Sequence, residues 1–127
     1  MIKVYVKKQS NYPVKATEVK KKIRSFLNKR GIVSDCEVSI ALVTKRRMLD
    51  LSKKYLKDNT VHSVLSFTAD EVKHKFVYPE DKIYLGEIIV CYPKAFEEAR
   101  KEGKRINEKV NELLEHGALH LMGVHHE

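Results

Sequence analysis

The chain has 127 residues, of which 43% are hydrophobic and 33% charged, with a formal net charge of +8 at pH 7. This length and balance suit one globular domain with one core and exclude an intrinsically disordered protein. No apolar run approaches the ~18 residues that a membrane-spanning helix needs, and the first ten residues lack the apolar stretch of a signal peptide. We therefore expect a cytoplasmic protein.

The spacing of apolar residues predicts the following elements in chain order: a strand over 2–6, a helix over 17–30, a strand over 36–43, a helix over 44–56, strands over 62–67, 75–78 and 83–91, and helices over 93–102 and 107–122. Thr17 and Thr44 are expected to cap their helices, Pro93 to begin one, and Gly31 and Gly123 to end two. The order predicts a single α+β domain over residues 1–127, with a central mixed sheet packed with helices.

Charge is distributed unevenly along the chain. Residues 1–60 hold 16 Lys/Arg and 5 Asp/Glu, whereas residues 61–127 hold 9 and 12. A basic half beside an acidic half favours a polyanionic partner such as nucleic acid, and the alternative is a solvated, lysine-rich surface of the kind found in heat-adapted proteins. Cys36 and Cys91 both lie in strand-like apolar runs and are expected to be buried thiols, with a disulfide as the alternative.

Four of the six histidines lie in the last twelve residues. His116 and His120 are four apart on a predicted helix, so their side chains project from one face, one turn apart. Gly123 lets the chain turn, and His126 can then fold back as a third ligand. Three imidazoles suit a zinc ion and leave a fourth position open for water, which is typical of catalytic zinc. The predicted core stripe of this helix, with both histidines at its edge, is Ile106, Val110, Leu113, Leu114, Gly117 and Leu121.

Other interpretations of these histidines stay open. Two histidines four apart on a helix are common and usually have no metal, and His125 and His126 resemble a tag remnant. The full spacing H-x-x-x-H-x-x-G-x-x-H, however, is that of the metzincin zinc site. Metalloproteases of that kind use a glutamate after the first histidine as general base, and here that position is Gly117. Glu115 points about 100° away around the helix.

The run H116-G-A-L-H-L-M-G-V-H-H126 resembles the H-G-x-L-H-L-x-G-x-D-H signature of the YbeY family of bacterial zinc-dependent endoribonucleases. V64-L-S-F67 and L85-G-E-I-I-V90 resemble two further segments of that family, in the right order. The resemblance implies one Zn2+ held by His116, His120 and His126, within an α+β fold that carries a zincin-like histidine helix. It also implies single-stranded RNA as substrate and a role in ribosomal RNA maturation and ribosome quality control, with the ribosome or its proteins as further partners.

The chain departs from the family pattern at several positions. His125 stands where relatives carry Asp, His62-Ser63 where they carry Thr-Asp, Glu87 where they carry Asp, and Leu56 where they carry an arginine. Because phosphoryl transfer needs cationic help, Lys53, Lys54 and Lys57 around Leu56 are candidate RNA-binding residues, although they are equally explained as solvated helix surface.

These observations favour a single-strand-specific, zinc-dependent endoribonuclease acting in 16S ribosomal RNA maturation, with zinc-bound water in place of a catalytic side chain. One alternative is a non-catalytic zinc-containing RNA- or ribosome-binding module, which the changes at Leu56 and His62-Ser63 keep open. Another is a zinc hydrolase of the peptidase kind, against which Gly117 argues. Three imidazoles also accept nickel and copper.

Overall fold

The computed structural model describes residues 1–8, 12–72 and 83–123. Its four strands are β1 (Ile2–Lys8), β2 (Cys36–Val43), β3 (Val64–Thr68) and β4 (Ile83–Cys91). Its helices are α1 (Ala16–Lys29), α2 (Lys45–Leu51), α3 (Ala69–Val72), α4 (Tyr92–Glu102) and α5 (Ile106–Leu121), and a π-helical segment (Ser52–Leu56) continues α2. The predicted strand over 75–78 lies outside the described residues.

The strands form one mixed sheet in the order β1-β2-β4-β3. β1 and β4 both run parallel to β2, with Val4 opposite Val38 and Ile40 opposite Ile88. β3 runs antiparallel to β4, with Ser66 opposite Ile88. Parallel neighbours need a crossover connection, which α1 supplies between β1 and β2. The predicted α+β class with a central mixed sheet is confirmed.

Alternating strand residues supply two cores, one on each face of the sheet, because successive side chains point to opposite faces. On the first face, Ile88 and Val90 of β4 join β1, β2, α1 and α5 in the larger core. On the second face, Ile89 and Cys91 pack with Met48 and other side chains of α2 and β3. The histidine-bearing helix α5 and the lysine-bearing segment after α2 therefore belong to different faces.

The residues predicted to begin or end helices lie at helix ends in the structure, with one exception. The Thr44 hydroxyl accepts a hydrogen bond from the Arg47 N–H, which confirms Thr44 as the cap of α2. Pro93 lies in the first turn of α4, and Gly123 after α5 has φ +79°. The prediction that Thr17 caps α1 was wrong. The helix begins at Ala16, Lys15 takes the cap position, and no side chain caps that end.

The two cysteines agree with the expectation from the sequence. Cys36 and Cys91 are both buried free thiols. The sheet register places Cys36 beside Ile83 and Cys91 beside Val43, at opposite ends of the β2–β4 ladder, so the disulfide alternative is wrong for this pair. None of the described helices is long and apolar enough to span a bilayer.

Candidate metal and RNA site

Helix α5 presents the two histidines at the rim of the first core. Val110, Leu114 and Ala118 on this helix are each 1% exposed, and the 3.6-residue period turns His116 and His120 away from that stripe. Both histidine side chains are exposed to solvent. The predicted core stripe is confirmed at Val110, Leu113, Leu114 and Gly117, whereas Ile106 and Leu121 at the ends of the helix are half-buried.

Gly117 occupies the point where α5 approaches β4. A Cβ at this position would lie 2.6 Å from Cγ2 of Ile88, which is fully buried. A glutamate, as peptidases of the zincin kind carry at this place, would collide with the sheet. The glycine is therefore explained by close packing of helix on sheet, and the position cannot supply a general base.

His120 has a carboxylate partner that sequence reasoning missed. Its Nε2 lies 3.5 Å from Oε1 of Glu71 on α3. The same oxygen accepts hydrogen bonds from the Thr68 N–H at 2.8 Å and from the Thr68 hydroxyl at 3.0 Å. Partial burial opposes ionisation of Glu71, but the hydrogen bonds from Thr68 and His120 outweigh it and lower the pKa of this carboxyl.

The sequence contained a signal for the fixed position of Glu71, though not for its contact with His120. T68-A-D-E71 is a capping box, in which the residue three places after the cap reaches back to the cap's N–H. This pattern predicts a local helix start. Only the fold shows that the end of β3 lies beside the last turn of α5.

His116 faces a groove between α1 and α5. The groove has a volume of about 530 Å³. It is lined by Lys22 and Phe26 of α1, by Arg30 directly after α1, and by Asn111, His116 and Leu119 among other residues of α5. The Arg30 guanidinium lies 5.2 Å from the centre of the Phe26 ring. Glu108, Glu112 and Glu115 stand along the α5 side. The α1 side of the groove is thus cationic and aromatic, whereas the α5 side carries three carboxylates beside the first histidine.

The complete histidine set cannot be assembled within the described part of the chain. His125 and His126 lie outside it, and among the described residues no group of three His, Cys, Asp or Glu side chains is arranged to hold a metal ion. What the structure does show is an imidazole pair one turn apart on a rigid helix, with a carboxylate beside the second imidazole. Imidazole nitrogen and carboxylate oxygen are the donors that zinc accepts, so the donor chemistry fits the predicted ion.

The three candidate lysines lie apart from the histidines. Lys53, Lys54 and Lys57 are exposed on and just after the π-helical segment, which packs over the second face of the sheet. The Lys54 ammonium lies 5.4 Å from the centre of the Tyr55 ring, and Leu56 is 43% exposed. The structure places neither these lysines nor Leu56 in the α1–α5 groove.

The second face also carries a larger groove, of about 700 Å³. It is lined by polar side chains of the sheet and α2, among them Tyr5, Lys7, Glu37, Arg47 and Glu87. The Tyr5 hydroxyl donates to Glu37 at 3.1 Å. Cation and carboxylate balance here, and neither histidine of α5 lines the groove. Size alone therefore does not mark the site of chemistry.

Comparison with known proteins identifies relatives over nearly the whole chain. The sequence model of the family "Endoribonuclease YbeY" matches residues 4–127. An endoribonuclease YbeY of Acinetobacter baumannii is 32% identical over 114 residues, which span 90% of this chain and 72% of the relative. One from Macrococcus caseolyticus is 28% identical over 109 residues, which span 86% and 71%.

The fold has a counterpart among solved structures. The solution structure of TM1509 from Thermotoga maritima matches with a TM-score of 0.65 and 24% sequence identity, and the match covers 98% of this chain and 75% of that one. At this identity the likeness concerns the fold alone. It agrees with the mixed four-stranded sheet and its helices.

Proposed function

Because the chain belongs to the endoribonuclease YbeY family, we propose that it is a zinc-dependent endoribonuclease that cleaves single-stranded RNA in the cytoplasm during 16S ribosomal RNA maturation and ribosome quality control. Family membership supports RNA cleavage. The observation that carries the metal-dependent chemistry is the exposed His116–His120 pair, one turn apart on α5. His116 lines a groove whose opposite side carries Lys22 and Arg30.

His116 and His120, with His126, are the residues proposed to hold one Zn2+. An ion held by these residues would supply polarisation of phosphate oxygens and a bound water whose pKa is lowered to about 7, so that no carboxylate base would be needed. The protein's own part is to hold the two imidazoles on a helix fixed by its buried face. Gly117 contributes by letting that helix lie close to Ile88.

The RNA backbone is proposed to lie along α1. Lys22 and Arg30 line the groove that contains His116, and Phe26 offers an aromatic surface beneath the Arg30 guanidinium. Cations neutralise phosphates, and an aromatic ring can stack on an unpaired base, a combination that suits single strands. Lys53, Lys54 and Lys57 remain candidate contacts for a strand that passes around the β3 edge to the second face.

A non-catalytic RNA- or ribosome-binding module remains the second candidate. The exposed Leu56 favours it, because this position supplies no positive charge for the phosphate. Such a module would bind RNA, or ribosomal proteins, with zinc stabilising the fold. Gly117 argues against the peptidase alternative.

The test is cleavage of single-stranded ribosomal RNA fragments by wild type, His120→Ala and Lys101→Ala. The control changes an exposed residue of α4 that does not line the α1–α5 groove. We expect His120→Ala to lose at least about 100-fold in cleavage rate, as loss of a main electrostatic contributor does, and Lys101→Ala to keep most of it. Equal cleavage by wild type and His120→Ala would refute the zinc mechanism. RNA binding without turnover by wild type would establish the non-catalytic module.

A further inference from the structure

Helix α2 covers only part of the second face of the sheet. It packs there through Met48 and Leu51, together with side chains of β3 and β4. On the edge strand β1, Val4 points into the first core, so its neighbour Tyr5 points to the second face, where it is 50% exposed. The groove of about 700 Å³ lies in this uncovered region, and its volume is typical of a ligand-binding site.

A β-bulge in β4 turns a second tyrosine towards the same groove. The register of β4 against β2 shifts between Glu37 and Val38, so that Glu37 lies opposite Tyr84. Tyr84 therefore packs beside the second core, whereas the next residue, Leu85, packs against the first. Gly86 completes the bulge with φ +143°, which other residues rarely adopt. Bulges often redirect a side chain next to a functional site.

The two ends of the groove differ in charge. Lys7 lies near the end of β1, and Arg47 lies in the first turn of α2, which begins just after β2 ends. Both cations are exposed, and both line the groove at the carboxyl ends of these parallel strands. Further along the strands, the Tyr5 hydroxyl donates to Glu37 at 3.1 Å. Glu87 lies in the same cross-strand row as Tyr5. One end therefore offers positive charge, and the other offers an aromatic ring with carboxylate acceptors.

These groups are the ones that an unpaired nucleotide needs. Cations neutralise its phosphate, and aromatic rings stack on bases that are free of a duplex. Carboxylates accept hydrogen bonds from base amino groups, such as N4 of cytosine.

We propose that this groove is a second RNA-binding site, in which one base of the substrate strand stacks on Tyr5 and the adjoining phosphate lies against Lys7 and Arg47. Glu37 and Glu87 then favour a base that carries an amino group over uracil, which has none. The inference rests on the proposed RNA substrate and is independent of zinc.

The test is fluorescence anisotropy of labelled oligocytidylate and oligouridylate with wild type, Tyr5→Ala, Tyr5→Phe and Phe96→Ala. Tyr5→Phe keeps the ring and loses only the hydroxyl. Phe96→Ala is the matched control, because it removes a ring that is 44% exposed on α4 and does not line the groove. Far-UV circular dichroism checks the fold of each variant, and a denaturing gel shows whether the RNA is cleaved.

We expect Tyr5→Ala to weaken binding of oligocytidylate at least about 5-fold, because a stacked base is lost, with Tyr5→Phe and Phe96→Ala within about 2-fold of wild type. Wild type should bind oligocytidylate more tightly than oligouridylate. Unchanged affinity in Tyr5→Ala, or equal weakening by Tyr5→Ala and either of the other variants, would overturn the inference. Equal affinity of wild type for the two oligonucleotides would also overturn it.

The gel separates the second site from the proposed nuclease activity. Cleavage of RNA together with unchanged affinity in Tyr5→Ala would overturn the second site alone. Binding that depends on Tyr5 without cleavage would support the second site and contradict the nuclease mechanism. A dimer in sedimentation analysis that Tyr5→Ala dissociates would assign this face to a second copy of the chain and overturn the inference.

Discussion

Gly117 determines how closely the histidine helix can approach the sheet. A side chain at this position would collide with Ile88, which is fully buried and therefore cannot move aside without displacing its neighbours. Gly117 directly follows His116, so the position at which a zinc peptidase carries its catalytic glutamate holds no carboxylate here. One small residue thus places the imidazole pair and distinguishes this site from that of a peptidase.

Gly117→Ala is expected to lower the free energy of unfolding by about 1–2 kcal/mol. Overpacking a core costs about 1–3 kcal/mol, and a 2.6 Å approach to a fully buried side chain belongs to the upper part of that range. The higher helix propensity of alanine returns only about 1 kcal/mol of that cost. Urea denaturation measures the change. The control Glu115→Ala, at an exposed position of α5, should stay within about 0.5 kcal/mol. An unchanged or more stable Gly117→Ala would show that α5 can move away from Ile88.

At the scale of elements, the two N-terminal caps predicted from threonine make a matched pair. Thr44 accepts the Arg47 N–H, whereas Thr17 lies inside α1. Thr44→Ala should cost about 1 kcal/mol because a helix N–H loses its partner, and Thr17→Ala should cost nothing measurable. Thermal or urea unfolding of both variants provides the comparison. Equal losses in the two would contradict the cap assignment.

The α4–α5 pair is joined by an ion network around Lys109, whose side chain is only 9% exposed. Its ammonium lies 3.0 Å from Glu102 and 3.2 Å from Glu112. Hydrogen bonds from Lys109 and Lys104 lower the pKa of Glu102, and those from Lys104 and Lys109 lower the pKa of Glu112. Desolvation opposes the charge of Lys109, but its bonds to these carboxylates raise its pKa.

Because the pKa values of Glu102 and Glu112 are lowered in the folded protein, protonation of these carboxyls in acid is expected to destabilise the fold. A carboxyl whose pKa is lower in the folded state contributes stability above its ordinary value of 4.5 and loses it as the pH falls through the folded pKa. We therefore expect stability to fall as the pH drops below about 4.5, and Glu102→Gln to make that fall shallower. Urea midpoints across this range measure it. If stability falls equally steeply with pH in Glu102→Gln, the ion network around Lys109 is not responsible for the loss of stability in acid.

At the scale of the whole molecule, the basic first half and the histidine helix meet in one groove. Lys22 lies on α1, Arg30 directly follows that helix, and His116 lies on α5. The charge asymmetry of the sequence thereby appears within one groove, with cations on the α1 side and the carboxylates of Glu108, Glu112 and Glu115 on the α5 side. The lysines after α2 lie over the second face, so they add to the charge without facing this groove.

RNA binding is expected to weaken with salt, and Arg30→Gln should reduce the slope of log affinity against log salt by about 0.7, the value for one phosphate contact with a single strand. Fluorescence anisotropy with a labelled single-stranded RNA measures the slope. Lys101→Gln removes one charge from the exposed surface of α4 and should leave the slope unchanged. Equal reductions in both variants would indicate binding to net charge rather than to the α1–α5 groove.

Periodicity was sufficient to predict most of the fold. The apolar positions of α1 and α5 face the core as their spacing predicts, and Thr44, Pro93 and Gly123 lie at helix ends. The cap prediction for Thr17 was wrong because the sequence does not distinguish a threonine in the first turn of a helix from a threonine at its cap. The strand predicted over 62–67 is displaced to Val64–Thr68, since His62 and Ser63 lie outside the ladder.

Only the local features of the candidate site could be predicted from the sequence. The spacing of His116 and His120 on one helix is a local property, and α5 confirms it. The contact of Glu71 with His120 is long-range, and it depends on where β3 ends relative to α5. The placement of Lys53, Lys54 and Lys57 on the other face likewise follows from sheet topology, which sequence spacing does not reveal.

The zinc content of untagged, natively purified protein, measured by elemental mass spectrometry without added metal, tests the proposed metal site most directly. We predict about one zinc per chain in wild type and a large loss in His120→Ala, with Glu115→Ala retaining the wild-type content. A wild type without a bound transition metal would contradict the zinc site, and with it both zinc-dependent cleavage and an RNA-binding module whose fold zinc stabilises.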